Sequence, residues 1–246
     1  MNLSHLLKIR HAAGKPVRVA LIGAGKFGSM FLSQVPHVPG LQVPVIVDLD
    51  PQRAKDACRT VGWDDGQIAA TAFSTDAAKA TSGDIEVIVE ATGNPAAGIT
   101  HARAAIGAEK HIVMVNVEAD ALAGPLLAEE ARKAGVVYSL AYGDQPALTA
   151  EMVDWARATG FRVVAAGKGT KYLPAYHDVT PDGVWQHYGL TAGEAQSAGM
   201  NPQMFNSFLD GTKSAIEMAA IANATGLDVP NDGLLFPPCG DRKSVV

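Results

Sequence analysis

The sequence predicts an α/β fold, in which a doubly wound parallel sheet is followed by an incomplete α+β substrate domain. Up to about residue 142, short apolar segments typical of buried strands alternate with helical segments. This alternation indicates a parallel sheet that is covered by helices on both faces. The first apolar segment also runs directly into a glycine-rich turn that opens a helix. Beyond residue 142 the alternation stops, so a second domain is expected there.

The elements are expected in a regular order. A small amphipathic helix is expected within residues 1–15, which are polar apart from a short apolar pair. Strands of the sheet are predicted at residues 17–22, 43–48, 71–73, 86–90, 111–115 and 136–140, and its helices at 26–35, 51–61, 95–106 and 119–134. The second domain is expected to hold a helix at 145–159, a strand at 161–166, an irregular stretch at 174–206, and a helix at 211–223 with Ile216, Ala219, Ala220 and Ala222 on its apolar side.

The glycine-rich turn has the G-x-G-x-x-G spacing of a dinucleotide-binding (Rossmann) motif. Gly23 would permit the tight turn, Gly25 would let a pyrophosphate approach the backbone, and Gly28 would let the helix pack closely on its strand. The helix N-terminus would offer free N–H groups to the phosphates. Asp48 follows the second strand, 20 residues after Gly28, which is the spacing of a carboxylate that binds the adenosine ribose. These features predict a cofactor-binding domain at residues 16–142 and a partial substrate domain at 143–240.

The predicted cofactor is NAD or NADP. Asp48 favours NAD through the ribose hydroxyls, whereas Lys26 and Arg53 would tolerate a 2′-phosphate, so the choice stays open. A second glycine turn, residues 91–94, follows the fourth strand at the edge where the nicotinamide ribose would lie; an ordinary strand-to-helix turn would look the same. The predicted cofactor contacts are Gly23, Ala24, Gly25, Lys26, Phe27, Gly28, Asp48, Ala91, Thr92, Gly93, Asn94 and Asn116.

Composition excludes several classes of partner. The net charge is −5 without a basic run, which argues against nucleic acid and anionic membranes. No apolar run approaches the ~20 residues of a transmembrane helix. The two cysteines, Cys58 and Cys239, are far apart and suggest reduced thiols in the cytoplasm. We expect a small-molecule substrate and a homo-oligomeric full-length protein.

Four charged residues in the second domain are candidates for chemistry. Lys168 and Lys171 follow the predicted strand at 161–166, where a lysine can bind a substrate anion or stabilise a developing alkoxide. Asp210 fits the N-cap of the last helix, and Lys213 lies in its first turn, where the helix dipole disfavours a cation. A solvated loop, a helix cap and a surface lysine are the structural alternatives.

Two further polar residues are candidate substrate contacts. Glu118 follows the fifth strand at the carboxyl edge of the sheet, where an acid is also favoured by the helix dipole alone. His177 lies in the polar stretch of the second domain, and a single histidine of this kind is more often structural. No set of metal ligands can be named from the sequence.

The chain resembles the homoserine dehydrogenase-like oxidoreductases over most of its length. In that family the fifth strand usually ends in Ala-Asn-Lys, and the lysine serves catalysis. This chain keeps Asn116 but has Val117 at the lysine position, which argues against homoserine dehydrogenase activity itself. An aspartate and a lysine near a helix bind and activate substrate in that family, and the resemblance points to Asp210 and Lys213 for these roles.

Residues 1–240 more closely resemble a subgroup that carries an added C-terminal SAF domain. The segments that carry the resemblance are LIGAGKFGSMFLSQ, VPVIVDLDP, VEATGNPAAG, GKGTKYLPAYH, FLDGTKSAIEMAAIANATGL and FPPCG. The resemblance implies a 1-deoxy-D-xylulose 5-phosphate reductoisomerase-like (DXR-like) enzyme that uses NADPH and a divalent metal, and the lysines would suit a phosphorylated substrate. A dehydrogenase of a small hydroxy or oxo acid, and a nucleotide-binding module without turnover, are the alternatives.

The last six residues, 241–246, match none of the preceding pattern. Their sequence, DRKSVV, is also the translation of a common sequencing-adapter read. We therefore expect a non-native tail on a truncated chain.

Overall fold

The computed structural model describes residues 2–169 and 173–233. Its contacts divide the chain into a first unit, Met1–Tyr142, and a second unit, Gly143–Val246. Lys171, Cys239 and the expected tail at 241–246 lie outside the described residues.

The first unit is built on a six-stranded sheet whose strands are all parallel. The strands are β1 (Val17–Ile22), β2 (Leu41–Val47), β3 (Ala72–Ser74), β4 (Val87–Glu90), β5 (His111–Met114) and β6 (Tyr138–Leu140), in the order β3-β2-β1-β4-β5-β6. The prediction of a doubly wound parallel sheet is thus confirmed. Because the strand order reverses between β1 and β4, a crevice is expected outside their carboxyl ends.

Helices cover both faces of this sheet. They are α2 (Lys26–Gln34), α3 (Pro51–Thr60), α4 (Asp65–Ala69), α5 (Pro95–Gly107) and α6 (Val117–Ala134), whereas α1 (Leu3–Ala12), which precedes β1, buries none of its residues. Successive residues of β1 alternate between the two faces: Ala20 and Ile22 pack in one buried cluster, and Val19 and Leu21 in the other. The short helix α4 was not expected from periodicity, although a capping box at Asp64 starts it.

The described part of the second unit is helical. Its helices are α7 (Gln145–Ala158), α8 (Val184–Tyr188), α9 (Ala192–Ser197), α10 (Pro202–Leu209) and α11 (Thr212–Thr225). Val184, Trp185, Ala195 and Leu209 form its buried cluster.

Two expectations for the second unit are wrong. Residues 161–166 form no strand. No other described segment pairs with them through backbone hydrogen bonds, and a strand-like composition alone does not produce a strand without such a partner. The stretch 174–206 is not irregular but contains α8, α9 and the start of α10. A capping box at Thr191 and Asn201 before Pro202 are start signals that the weak periodicity of these short helices obscured.

The N-terminal helix is present as α1, shorter than the expected range 1–15. Within the described residues, no helix has both the length and the apolar character that a membrane crossing requires.

Candidate functional site

The glycine loop between β1 and α2 is fixed by two steric requirements. Gly23 has a φ of +95°, and a Cβ there would lie 2.7 Å from the carbonyl oxygen of Ala91. A Cβ on Gly28 would lie 2.4 Å from the carbonyl oxygen of Gly23. Gly23 therefore makes the tight turn and Gly28 the close helix packing, as the motif predicts.

Gly25 differs from these two glycines. It is the N-cap of α2, it is exposed, and a Cβ there would meet no atom within 4 Å. The next residues, Lys26 and Phe27, are also exposed, and N–H groups in the first turn of a helix lack intrahelical partners. The loop thus presents open space and backbone donors together, which is the arrangement that a pyrophosphate requires.

Asp48 follows β2 and is 7% exposed. Its carboxylate accepts hydrogen bonds from the N–H of Ala24 (2.8 Å) and of Asp50 (2.9 Å), and it forms an ion pair with Arg53 (2.7 Å). Burial raises the pKa of Asp48, but the bonds from Asp50, Ala24 and Arg53 outweigh burial and leave the pKa below its ordinary value. Asp48 thus stays ionised and ties the glycine loop to the β2–α3 turn, a contact that the sequence did not predict.

The second glycine turn connects β4 to α5. Gly93 has a φ of +69°, and Asn94 caps α5 by accepting the N–H of Ala97 (3.0 Å). The side chain of Asn116, which is 2% exposed, caps α6 and donates to the carbonyl of Asn94 (2.9 Å). Asn116 therefore joins two turns at the carboxyl edge of the sheet, and its amide is committed to protein contacts.

Two of the catalytic candidates of the second unit, Lys168 and Lys213, contact the same carboxylate. Lys168 forms an ion pair with Glu217, and Nζ of Lys213 lies 3.7 Å from Oε1 of the same residue. The side chains of Lys168, Glu217 and Lys213 are only 12%, 5% and 26% exposed. We call these three residues the lysine–glutamate cluster.

Glu217 was missed by sequence reasoning. The buried residues of α11 include Ser214, Glu217, Ala220 and Ile221, whereas Ile216 is only half-buried. Of the expected apolar side, Ala220 is buried as predicted, but Ala219 and Ala222 are also only half-buried, because the buried stripe is shifted and includes a charge. The i,i+4 spacing from Lys213 was the available signal.

Asp210 is not the N-cap of the last helix, as was expected. It ends α10, and Gly211, with a φ of +88°, occupies the N-cap of α11. The carboxylate still accepts the N–H of Thr212 (2.8 Å), and it accepts the side-chain amide of Asn206 (2.9 Å). Lys213 lies in the first turn of α11, as predicted.

The remaining candidates are less informative. Glu118 lies half-buried in the first turn of α6, and His177 is exposed in the segment before α8. Val117, at the position where the resembling family has lysine, is 3% exposed. Among residues 2–169 and 173–233, no group of three His, Cys, Asp or Glu side chains is arranged to hold a metal ion.

Two protein-family descriptions match the chain. "Oxidoreductase family, NAD-binding Rossmann fold" matches residues 17–142. "Oxidoreductase DRL, catalytic domain" matches residues 143–245. No curated protein gives a significant match.

Solved structures resemble the fold at low identity. A homoserine dehydrogenase from Thiobacillus denitrificans is 18% identical, with a TM-score of 0.49 over 58% of this chain and 34% of its own. The myo-inositol dehydrogenase from Lactobacillus casei, in complex with NAD(H) and myo-inositol, is 16% identical, with a TM-score of 0.46 over 59% and 42%. The WlbA dehydrogenase from Bordetella pertussis, in complex with NADH and UDP-GlcNAcA, is 18% identical, with a TM-score of 0.45 over 59% and 43%. This chain thus spans less than half the length of each of these proteins.

The family match from residue 17 to residue 142 covers half of the chain and coincides with the parallel sheet and the glycine loop. The protein therefore belongs to the oxidoreductase family with an NAD-binding Rossmann fold.

Proposed function

We propose that this protein reduces a carbonyl group with NADH or NADPH, most specifically as a DXR-like reductoisomerase of isoprenoid precursor synthesis. The observation that carries the proposal is the lysine–glutamate cluster, since it collects two ammonium groups on one buried carboxylate. It lies in the part of the chain that matches the catalytic domain of the oxidoreductase DRL. The specific reaction is proposed from the sequence segments that resemble the DXR-like subgroup.

The first unit has the features that a nicotinamide dinucleotide needs. Gly25 leaves open space at the N-terminus of α2 for the pyrophosphate, and Asp48 lies after β2 for the adenosine ribose. Residues 91–94, at the carboxyl end of β4, are then available to the nicotinamide half. When bound, the reduced nicotinamide supplies the hydride.

The lysines are proposed to stabilise and protonate the developing alkoxide. As a hydride adds to the carbonyl carbon, the π electron pair of the carbonyl moves onto oxygen, where an ammonium group stabilises the charge and then supplies the proton. We assign this role to Lys168 or Lys213, because Val117 cannot supply it. Asp210 would orient the substrate, and Lys171 would bind its anionic group.

Helix α11 holds Lys168 at two points. Glu217 pairs with its ammonium group, and the sulfur of Met218 accepts its backbone N–H (3.3 Å). Because Glu217 also lies beside Lys213, one carboxylate keeps both ammonium groups in place before substrate binds. Ammonium groups that are already positioned need little reorganisation as charge develops on the substrate oxygen.

A divalent metal is implied by the DXR-like resemblance, but the described side chains do not fit one. No group of three potential ligands is found among residues 2–169 and 173–233. The proposed chemistry therefore uses the lysines and includes no step that depends on a metal.

The decisive experiment combines nucleotide binding with turnover. NADH and NADPH are titrated first, and turnover is then measured with 1-deoxy-D-xylulose 5-phosphate in Lys168→Met and Lys213→Met. At least one variant should lose kcat by ~100-fold or more while binding nucleotide normally. Lys133→Met is the control, because Lys133 pairs with Glu129 on the surface of α6. If both variants keep the kcat of the unmodified chain, the lysine assignment is wrong.

The alternatives are separated by the same assay. Turnover of small hydroxy or oxo acids, without turnover of the phosphorylated ketose, would favour a homoserine-type dehydrogenase. Nucleotide binding without turnover of either class would favour a binding module.

A further inference from the structure

Glu90, the last residue of β4, is a buried acid with no part in the proposed chemistry. It is 0% exposed. A Cβ on Gly98 would lie only 3.2 Å from its Oε2, so α5 packs directly over the carboxyl group. Water therefore does not hydrogen-bond to the carboxyl group and cannot offset the free-energy cost of burying it.

The side-chain contacts of Glu90 among the described residues involve only one of its two carboxyl oxygens. Its Oε1 accepts a hydrogen bond from Oγ1 of Thr92 (2.6 Å), and Nδ1 of His101 lies 3.2 Å from the same oxygen. Its Oε2 has no hydrogen-bond partner within the described part of the chain. A buried acceptor that lacks a partner costs stability, so the fold alone does not account for a glutamate at this position.

The partnered oxygen instead acts on the second glycine turn. Thr92 lies within residues 91–94, and its Oγ1 is also 3.4 Å from the side-chain amide of Asn116. The same turn contacts the glycine loop, because Ala91 packs against Gly23. Glu90 thus holds the turn that borders the crevice between β1 and β4.

The strand order indicates which part of the cofactor this turn meets. The adenosine ribose is expected at Asp48 after β2, and the pyrophosphate at the glycine loop after β1. Since β4 lies on the other side of β1, the nicotinamide half extends toward residues 91–94. We propose that Glu90 is a positioning residue that fixes this turn for the nicotinamide half of the dinucleotide. The inference rests on the proposed cofactor site.

The experiment compares a whole dinucleotide with its adenosine half. Binding of NADH, NADPH and ADP is measured by calorimetry in Glu90→Met, which removes the carboxyl group at similar length. We expect the affinity for the preferred dinucleotide to fall about tenfold, with ADP affinity within twofold of that of the unmodified chain. The melting temperature should not fall, because the variant also removes a half-partnered buried acid.

Three further variants control the comparison. Glu90→Gln retains an oxygen acceptor for Thr92 and should restore most of the affinity. Thr92→Val removes the hydroxyl donor and keeps only the longer contact from the backbone N–H of Thr92 to Oε1 of Glu90 (3.4 Å), so it should weaken dinucleotide binding in the same direction as Glu90→Met. Glu86→Met is the matched control, since Glu86 precedes β4 at its other end and pairs with Arg10.

Several results would overturn the proposal. Unchanged dinucleotide affinity in Glu90→Met does so, and so does an equal loss for dinucleotide and ADP, which would indicate a structural role. If Glu90→Met does not fold, unchanged affinity in Thr92→Val overturns the proposal in its place. If the unmodified chain binds ADP but neither dinucleotide, or binds no nucleotide, the cofactor assignment fails and this inference fails with it.

Discussion

The glycine loop of the first unit and the lysine–glutamate cluster of the second unit are constructed in different ways. The loop depends on backbone geometry, because neighbouring backbone atoms leave no room for a Cβ at Gly23 or Gly28. In the cluster, side chains decide: Lys168 lies in an irregular segment, and Glu217 is 49 residues later in α11. A local motif therefore predicts the loop, whereas the cluster requires long-range packing.

The difference also affects how each site tolerates change. Adding a side chain to the glycine loop should prevent folding where the Cβ would collide with the backbone, as at Gly28. Where the Cβ would point into open space, as at Gly25, the fold should be retained. An ion cluster fails when an atom is removed, because a buried charge then loses its partner. Four predictions test this contrast.

The largest effect is expected for Gly25→Val. The new side chain would enter the open space beside the N-terminus of α2, so dinucleotide binding should fall more than ~100-fold through loss of pyrophosphate access. The melting temperature should fall by about 4 °C or less, since valine is only a poor N-cap. Calorimetry and thermal melting measure the two quantities.

Gly28→Val is the contrasting variant, because its Cβ would lie 2.4 Å from the Gly23 carbonyl oxygen. It should unfold the first unit. Undiminished nucleotide binding by Gly25→Val would overturn the site assignment.

The second prediction concerns Glu217→Ala. Loss of the shared carboxylate removes the buried anion that pairs with Lys168 and lies beside Lys213, so the free energy of unfolding should fall by about 3 kcal/mol. Glu129→Ala is the matched control, because Glu129 also pairs with two cations, Arg132 and Lys133, but on the surface. The pKa of Glu129 is lowered to about 2, chiefly by the hydrogen bonds from Arg132 and Lys133.

Urea denaturation of both variants measures the difference. We expect no resolvable loss of stability for Glu129→Ala, because solvent screens exposed pairs. Equal losses in the two variants would show that burial does not distinguish the clusters.

The third prediction uses pH to test the contact between the loop and Asp48. The pKa of Asp48 is below its ordinary value in the folded state, so its contribution to stability is present above the unfolded pKa of ~3.9. That contribution is lost as the pH falls through the folded pKa. Asp48→Asn should lose about 2 kcal/mol at pH 7 and show a weaker pH dependence on acidification.

Denaturation curves from pH 7 to pH 3 test this prediction. Parallel curves for Asp48→Asn and the unmodified chain would show that Asp48 is not ionised and bonded as described.

The smallest effect is expected for Arg53→Gln. Arg53 is 63% exposed in its side chain and pairs with Asp48, where it can meet a 2′-phosphate. Its removal should weaken NADPH binding about fivefold and leave NADH binding within twofold. Arg59→Gln on the same helix is the control, since Arg59 pairs with Asp56 instead. Equal changes for both nucleotides would exclude Arg53 from cofactor selection.

The sequence by itself determined the first unit almost completely. Strand periodicity identified all six strands, and the glycine spacing identified the turn at Gly23 and the packing at Gly28. Both signals are local, because a buried parallel strand needs an apolar run and a tight turn needs a residue without a Cβ. The sequence also selected Lys168 and Lys213 as candidate charges for the reaction.

Only the tertiary structure decided which partners these residues have. In the structure, Glu217 contacts both Lys168 and Lys213. Asp210 lies at the end of α10 and is not the N-cap of α11. Residues 161–166 have no strand partner among the described residues. The structure also shows that Asp48 binds the N–H of Ala24. The physical reason is that side-chain pairs and strand ladders join segments distant in sequence, and no local periodicity or spacing records which segments meet.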